Sequence, residues 1–254
     1  MKVEILPSAV GQQSPQQFCI GALVNDTISI DAGSIGLLWP LERQKQIEHV
    51  FLTHSHVDHI ATLPIFLDNV YEPGPNRPSV YACEATEQCL RTNVFNDVLW
   101  PDFVRLSAEE SPFLNLQTLR SEEVVDLGSV RVTPVAVNHV VPTMAFVLED
   151  ADNSVAFVTD THETDQIWQV LQKTPNLRAV FLECCFPNSH RELAQKSGHL
   201  CPELFERYAS QLPNDVQVLA THLKPCFFDQ IKSELQQIDR PGITIAVPGE
   251  IYEW

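Results

Sequence analysis

Four residues with metal-binding side chains fall within one stretch of six, in the pattern His-x-His-x-Asp-His. Imidazole and carboxylate groups are the usual protein ligands of Zn²⁺ and similar first-row metal ions. Because His54 and His56 lie two residues apart on a predicted loop, their side chains can point toward the same ion. Asp58 and His59 follow at the start of a predicted helix and turn toward a second position nearby. The spacing therefore predicts two closely spaced metal ions, an arrangement typical of metal-dependent hydrolysis.

Three more residues of the same chemical types follow predicted strands, where a run rich in valine and other apolar residues gives way to a loop. They are His139, Asp160 and His222. Functional residues are often placed on loops that a rigid scaffold positions. Together with the first motif, these residues predict a complete two-metal site.

A carboxylate and a further histidine provide a candidate acid–base pair outside the predicted ligands. Glu183 ends another predicted strand, and His199 follows sixteen residues later, ahead of a helix. Such a pair suits phosphodiester cleavage, because the leaving alkoxide needs charge stabilisation and a proton. We expect Glu183 to orient His199, and His199 to supply the proton. Asp58 is expected to hold a metal ion and also to accept the proton of the attacking nucleophile.

The elements that must position these residues are strands and helices in mixed order, which predicts an α/β fold with substantial antiparallel sheet. The predicted strands are 27–30, 50–53, 80–82, 130–137, 143–148, 155–159, 179–183, 216–221 and 243–247. The predicted helices are 59–70, 84–95, 164–172, 202–211 and 227–238. Pro64 is expected to kink or shorten its helix, and Pro134 to mark an edge strand or a bulge. We expect a single domain over 1–254, with the irregular segment 71–119 as an insertion or cap.

Composition restricts the partners. The chain has 33 acidic residues against 16 Lys and Arg, a formal net charge of −17. Phosphate backbones and anionic membranes attract clustered basic residues, so we expect neither long nucleic acid nor a membrane as partner. The first residues lack a signal-peptide pattern, and no apolar run approaches the ~20 residues of a membrane span. The seven cysteines include no C-x-x-C pair, so we expect reduced thiols and a cytoplasmic protein. The sequence leaves open whether the chain forms a homodimer.

The order of these motifs resembles that of the metallo-β-lactamase superfamily. The superfamily motifs correspond here to Asp31-Ala32-Gly33, then residues 54–59, His139, Asp160 and His222. The resemblance implies a four-layer αββα sandwich with a dinuclear site along one edge of two facing sheets. It implies two divalent metal ions. Zn²⁺ is the expected metal, and Mn and Fe are the alternatives.

The same resemblance implies how the ligands divide between the ions. One ion would be held by His54, His56 and His139, and the other by Asp58, His59 and His222. Asp160 would bridge the two ions, and Asp31 would lie behind the ligands without touching an ion.

The phrases Glu-Cys-Cys-Phe-Pro, Ser-Gly-His-Leu-Cys-Pro-Glu-Leu and Thr-His-Leu-Lys-Pro are similar to those of class II 3′,5′-cyclic-nucleotide phosphodiesterases. This similarity implies hydrolysis of cAMP or cGMP to 5′-monophosphates. Two alternatives stay open: a tRNA 3′-processing-like endonuclease, and a glyoxalase II-like thioesterase or lactonase. The tRNA-processing endonucleases bind tRNA through an extended basic arm, for which this sequence offers no candidate. The Glu183–His199 pair argues against a thioesterase or lactonase. Candidates for stacking on the base are Phe186, Tyr71, Trp100 and Phe103.

Overall fold

The computed structural model describes residues 1–9, 14–74, 77–109 and 112–254, and its strands form two sheets of seven. In chain order the strands are β1 (Lys2–Ile5), β2 (Ala22–Val24), β3 (Ile28–Ile30), β4 (His49–Phe51), β5 (Ser79–Cys83), β6 (Asn115–Leu119), β7 (Val125–Asp126), β8 (Arg131–Val137), β9 (Thr143–Glu149), β10 (Ser154–Val158), β11 (Leu177–Glu183), β12 (Gln217–Thr221), β13 (Ile243–Ile245) and β14 (Ile251–Glu253). The first sheet has the order β14-β1-β2-β3-β4-β5-β6, and the second β13-β12-β11-β10-β9-β8-β7.

Helices cover the outer face of each sheet. They are α1 (Leu41–Lys45), α2 (Val57–Ile60), α3 (Leu63–Asn69), α4 (Glu84–Cys89), α5 (Phe103–Glu109), α6 (Gln166–Leu171), α7 (Arg191–Ser197), α8 (Pro202–Ala209) and α9 (Phe228–Leu235). Phe66 of α3 belongs to the apolar cluster on the first sheet, and Trp168 of α6 and Phe205 of α8 to that on the second. The expected four-layer αββα sandwich is confirmed. No described helix is long and apolar enough to cross a membrane.

A third apolar cluster lies between the sheets and holds them together. Phe51 and Phe146 meet there edge to face, and Phe157 stacks on Phe181 with ring centroids 4.8 Å apart. Neighbouring residues such as Val180 belong instead to the outer cluster under the helices. Because the central strands of the second sheet are buried on both faces, their sequences are almost continuously apolar rather than alternating.

The directions of the strands bring many of their carboxyl ends to one edge. Strands β3 to β6 run parallel, as do β10 to β13. Strands β8 and β10 are both antiparallel to β9, so they share one direction. The two sheets touch near this edge, where Met144 N–H donates to Thr53 O across 3.0 Å.

Pro64 and Pro134 both lie where a missing N–H group is tolerated. The single helix predicted over 59–70 is instead the pair α2 and α3, with Pro64 in the first turn of α3, where its missing N–H costs little. Strand β7 pairs only with Arg131 and Val132, so Pro134 lies on the stretch of β8 that β7 leaves uncovered. Segment 71–119 contributes β5 and β6 to the first sheet and contains α4 and α5.

Candidate metal centre and catalytic pair

The structure brings all seven predicted ligands together at the carboxyl edge of the two sheets. They form two groups, and within each group the ligand atoms lie within 4.8 Å of one another. The groups are His54, His56, His139 and Asp160, and then Asp58, His59 and His222. The residues of the 54–59 motif follow strand β4 of the first sheet, whereas the other three follow strands of the second. Each candidate ion site is therefore shared between the sheets.

Asp160 belongs to the first group but also faces the second. Its Oδ2 atom is 3.4 Å from His54 Nε2 and 3.4 Å from His59 Nε2. Its Oδ1 atom is 3.3 Å from His222 Nε2. One carboxylate thus faces histidines of both groups, which is the geometry a bridging ligand requires.

Other groups hold the histidine rings from behind. His59 Nδ1 lies 2.7 Å from Asp31 Oδ2, and His139 Nδ1 donates to Gly198 O over 2.8 Å. Thr53 Oγ1 is 3.0 Å from His54 Nδ1 and 2.9 Å from Asp31 Oδ1. Partners of this kind fix the ring orientation and tautomer of metal-binding histidines. Asp31 therefore occupies the place behind the ligands that the resemblance implies.

The donor set fits divalent ions. His54 Nε2 and Asp160 Oδ1 are buried and have no hydrogen-bond partner among the described residues, although buried polar atoms are ordinarily paired. A cluster of imidazole nitrogens and carboxylate oxygens matches the preferences of Zn²⁺ and similar ions. Two such ions would supply the missing partners.

The histidines of the cluster have pKa values shifted in opposite directions. Burial lowers the pKa of His54 to about 2, so this ring is neutral and able to bind a metal ion. Burial also lowers the pKa of His59, but Asp160 and Asp31 outweigh it and raise that pKa to about 10. The pKa of His222 is raised well above its ordinary value, because Asp160 and Asp58 outweigh its burial. Without metal, His59 and His222 thus both carry a positive charge at neutral pH.

The predicted acid–base pair lies beside this cluster. Glu183 is fully buried and its Oε1 accepts a hydrogen bond from His199 Nδ1 over 2.9 Å. The same carboxylate accepts the backbone N–H groups of Thr161 and Leu200. The His199 ring lies 5.0 Å from the His139 ring and 5.4 Å from the His222 ring, one from each ligand group. His199 is therefore placed to reach a substrate held by both groups.

Comparison with known proteins identifies the family. A family model for the beta-lactamase superfamily domain matches residues 29–223. The chain belongs to the beta-lactamase superfamily. The match begins before Asp31 and ends just after His222, so it covers the whole candidate centre.

Individual relatives of this superfamily member carry a more specific name. It is 26% identical over 240 residues to a protein of Yersinia pestis named "Probable 3′,5′-cyclic-nucleotide phosphodiesterase", covering 80% of this chain and 68% of that protein. It is also 26% identical to 3′,5′-cyclic-nucleotide phosphodiesterase 1 of Saccharomyces cerevisiae, covering 70% of this chain but only 56% of the yeast protein. The crystal structure of unliganded yeast PDE1 superposes with a TM-score of 0.77, covering 98% of each chain at 21% identity. That structural likeness shows a shared fold.

Backbone geometry at the superfamily site is unusual in two ways. Asp31, Asp160 and His222 have φ values of 61°, 53° and 56°, in the left-handed region that non-glycine residues seldom adopt. A Cβ atom on Gly33 would lie 2.1 Å from Asp58 O and 2.5 Å from Ile20 N, so only glycine fits there. The Asp-x-Gly motif thus places a carboxylate behind His59 and lets the chain before β2 approach α2 closely.

Three of the four aromatic candidates for base stacking have their rings packed against other aromatic side chains. Phe103 stacks on Phe113 with centroids 3.9 Å apart, and Tyr71 also stacks on Phe113 at 4.3 Å. Trp100 meets Phe103 edge to face. Phe186 does lie near the site, but it is 4% exposed and packs between His199 and Phe227.

Two clefts of about 460 and 530 Å³ contain none of the predicted site residues. A smaller cavity of about 220 Å³ adjoins the second ligand group, because Asp58 and His222 both line it. Its other walls include Gln17, Phe18 and Lys224. Sequence reasoning missed Phe18, since nothing in its Gln-rich surroundings shows that Ile20 N–H donates to Asp58 O over 2.7 Å.

Proposed function

We propose that this chain is a dinuclear-metal phosphodiesterase that hydrolyses 3′,5′-cyclic nucleotides to 5′-monophosphates. The observation that carries the proposal is the position of His199, held by buried Glu183 beside both ligand groups. Glu183, His199 and Asp160 offer polar atoms within 4.8 Å of one another. The names of the relatives from Yersinia pestis and yeast support the same substrate class.

The seven ligands would hold two divalent ions, which we expect to be Zn²⁺. Such ions neutralise charge on phosphate oxygens and activate water for attack on phosphorus. Cations at this edge also remove the difficulty that a chain of net charge −17 poses for an anionic substrate. The seven unpaired cysteines support, within this proposal, a reducing compartment such as the cytoplasm.

The chain's own residues account for the proton transfers. As water attacks phosphorus in line, the P–O3′ bond breaks and O3′ takes a proton from His199 Nε2. Glu183 accepts the Nδ1–H bond throughout, which fixes the ring and stabilises its positive charge. Asp58, whose side chain is 40% exposed, would accept the proton of the water. The product is a 5′-monophosphate.

The test is a panel of substrates given to the purified, metal-analysed protein. We expect about two metal ions per chain and conversion of cAMP or cGMP to the 5′-monophosphate, identified by chromatography against the 3′-isomer. Chelation should abolish the activity, and Zn²⁺ should restore it. Fully loaded, folded protein that leaves both nucleotides intact but hydrolyses lactoylglutathione or processes a precursor tRNA would overturn the proposal in favour of those classes.

A further inference from the structure

The 220 Å³ cavity beside Asp58 and His222 has an aromatic wall with a free face. Phe18 lines this cavity and remains 51% exposed. Among the described residues, no aromatic ring or cation packs against Phe18, in contrast to the four aromatic candidates discussed above. An exposed aromatic ring next to a candidate catalytic site loses contact with water when a ligand covers it.

The backbone that carries Phe18 is tied to the metal centre by hydrogen bonds. Gln17 Nε2 donates to Leu6 O and Gly21 O, over 2.9 and 3.0 Å. Phe18 N–H donates to Ser8 Oγ over 2.7 Å, and Ile20 N–H donates to Asp58 O. The loop that carries the ring is therefore tied both to the end of β1 and to helix α2, which supplies Asp58 and His59. Anchoring the backbone in this way lowers the conformational entropy that is lost when the ring binds a planar ligand.

Lys224 lies in another wall of the same cavity. Its Nζ lies 5.1 Å from the centre of the Phe186 ring. No carboxylate pairs with this ammonium group among the described residues, although the chain as a whole is strongly acidic. The cavity is thus lined by an aromatic ring, a lysine side chain and two candidate metal ligands.

We propose that this cavity is the subsite for the nucleobase, with one face of the base stacked on Phe18. The inference rests on the proposed function, because the phosphodiester must lie at the metal centre for the base to reach the cavity. Its volume is below the range typical of sites that enclose a whole drug-sized ligand, which suits one part of a nucleotide. Since every base has a π-face, stacking on Phe18 selects for a base rather than for adenine over guanine.

The test compares ligands with and without a base by titration calorimetry on the metal-loaded protein. Phe18→Ala is expected to weaken binding of 5′-AMP and 5′-GMP by about fivefold to thirtyfold, within the range for base–aromatic stacking. Binding of ribose 5-phosphate should change less than twofold. Phe18→Tyr should retain the affinity for 5′-AMP, whereas Phe18→Leu, which keeps an apolar side chain but lacks a ring, should behave like Phe18→Ala.

The control is Leu99→Ala, which removes another exposed apolar side chain, in the turn before α5. It should leave the affinities for both ligands unchanged. Equal losses of 5′-AMP and ribose 5-phosphate binding in Phe18→Ala, or no loss of either, would overturn the base subsite. Absence of cAMP and cGMP turnover by the wild-type protein would instead overturn the proposed function, so the two failures are distinguishable.

Discussion

Replacing Glu183 by glutamine tests whether the buried carboxylate acts through His199. Glu183→Gln keeps the shape of the side chain but removes the charge that faces His199 Nδ1. Its amide nitrogen would point at an N–H group, most directly that of Leu200, which now donates to Oε2 over 3.1 Å. That buried mismatch costs about 1–3 kcal/mol of folding stability. We therefore expect a lower unfolding temperature as well as slower turnover.

The loss of rate has an upper limit set by His199 itself. General acid catalysis contributes typically about 10²- to 10⁴-fold, so His199→Ala should lower kcat for cAMP by that factor. Glu183→Gln should lower it by about 10- to 10³-fold, or roughly 1.4–4 kcal/mol of barrier. In the double variant the rate should equal that of His199→Ala alone, because Glu183 would then have no ring to hold.

The leaving group separates this role from a purely structural one. Nitrophenolate departs without a proton, so both variants should hydrolyse bis(p-nitrophenyl) phosphate at rates much closer to wild type than they hydrolyse cAMP. Initial rates would be measured at saturating substrate, with metal content and thermal unfolding recorded for every variant. Equal losses on the two substrates, or a double variant far slower than His199→Ala, would refute the reasoning.

Three further predictions concern the metal centre. Asp160→Asn removes the charge shared by both ligand groups and should lower the bound metal from about two ions to one or fewer per chain; plasma emission analysis showing two would contradict the bridging role. Gly33→Ala should lower both the unfolding temperature and the activity, because its Cβ would meet Asp58 O at 2.1 Å; a variant that melts and turns over like wild type would contradict this. The pKa of His59 rises from 6.5 to about 10 in the metal-free fold. Its contribution to stability is thus complete below pH 6.5 and lost as the pH rises toward 10. Thermal unfolding of chelated protein should show this decline, and loaded protein should not; a flat profile for chelated protein would count against the protonated site.

The sequence predicted the fold class and the convergence of the candidate ligands because both depend on local signals. A ligand-rich motif directly after a strand, and single residues at the ends of later strands, specify one edge once the strands run in a common direction. Pro64 and Pro134 likewise act on their own element, and the structure places each where a missing N–H is tolerated. The helix predicted over 59–70 was wrong in its continuity, since the break at Ala61–Thr62 depends on packing against the loop after β3.

Contacts between residues far apart in the sequence could not be predicted from these local signals. Phe18 reaches the cavity only because Gly33 leaves room for the Ile20 backbone beside α2. The aromatic candidates Tyr71, Trp100 and Phe103 have suitable side chains, but Tyr71 and Phe103 stack on Phe113, and Trp100 packs against Phe103. Which aromatic ring faces the site is decided by tertiary packing, and the composition of a segment carries no signal for it.

The division of ligands between the sheets has a consequence for how the molecule holds together. Strands β1 to β6 come from the chain before residue 120, and β7 to β13 from the chain after residue 124, with β14 alone returning to the first sheet. Each candidate ion site takes ligands from both portions, so a bound ion would link the two portions. Fragments 1–120 and 124–254 should accordingly reassociate more tightly with Zn²⁺ than with chelator, since binding and assembly are linked. Analytical ultracentrifugation showing equal association in both conditions would mean that the ions do not bridge the two portions.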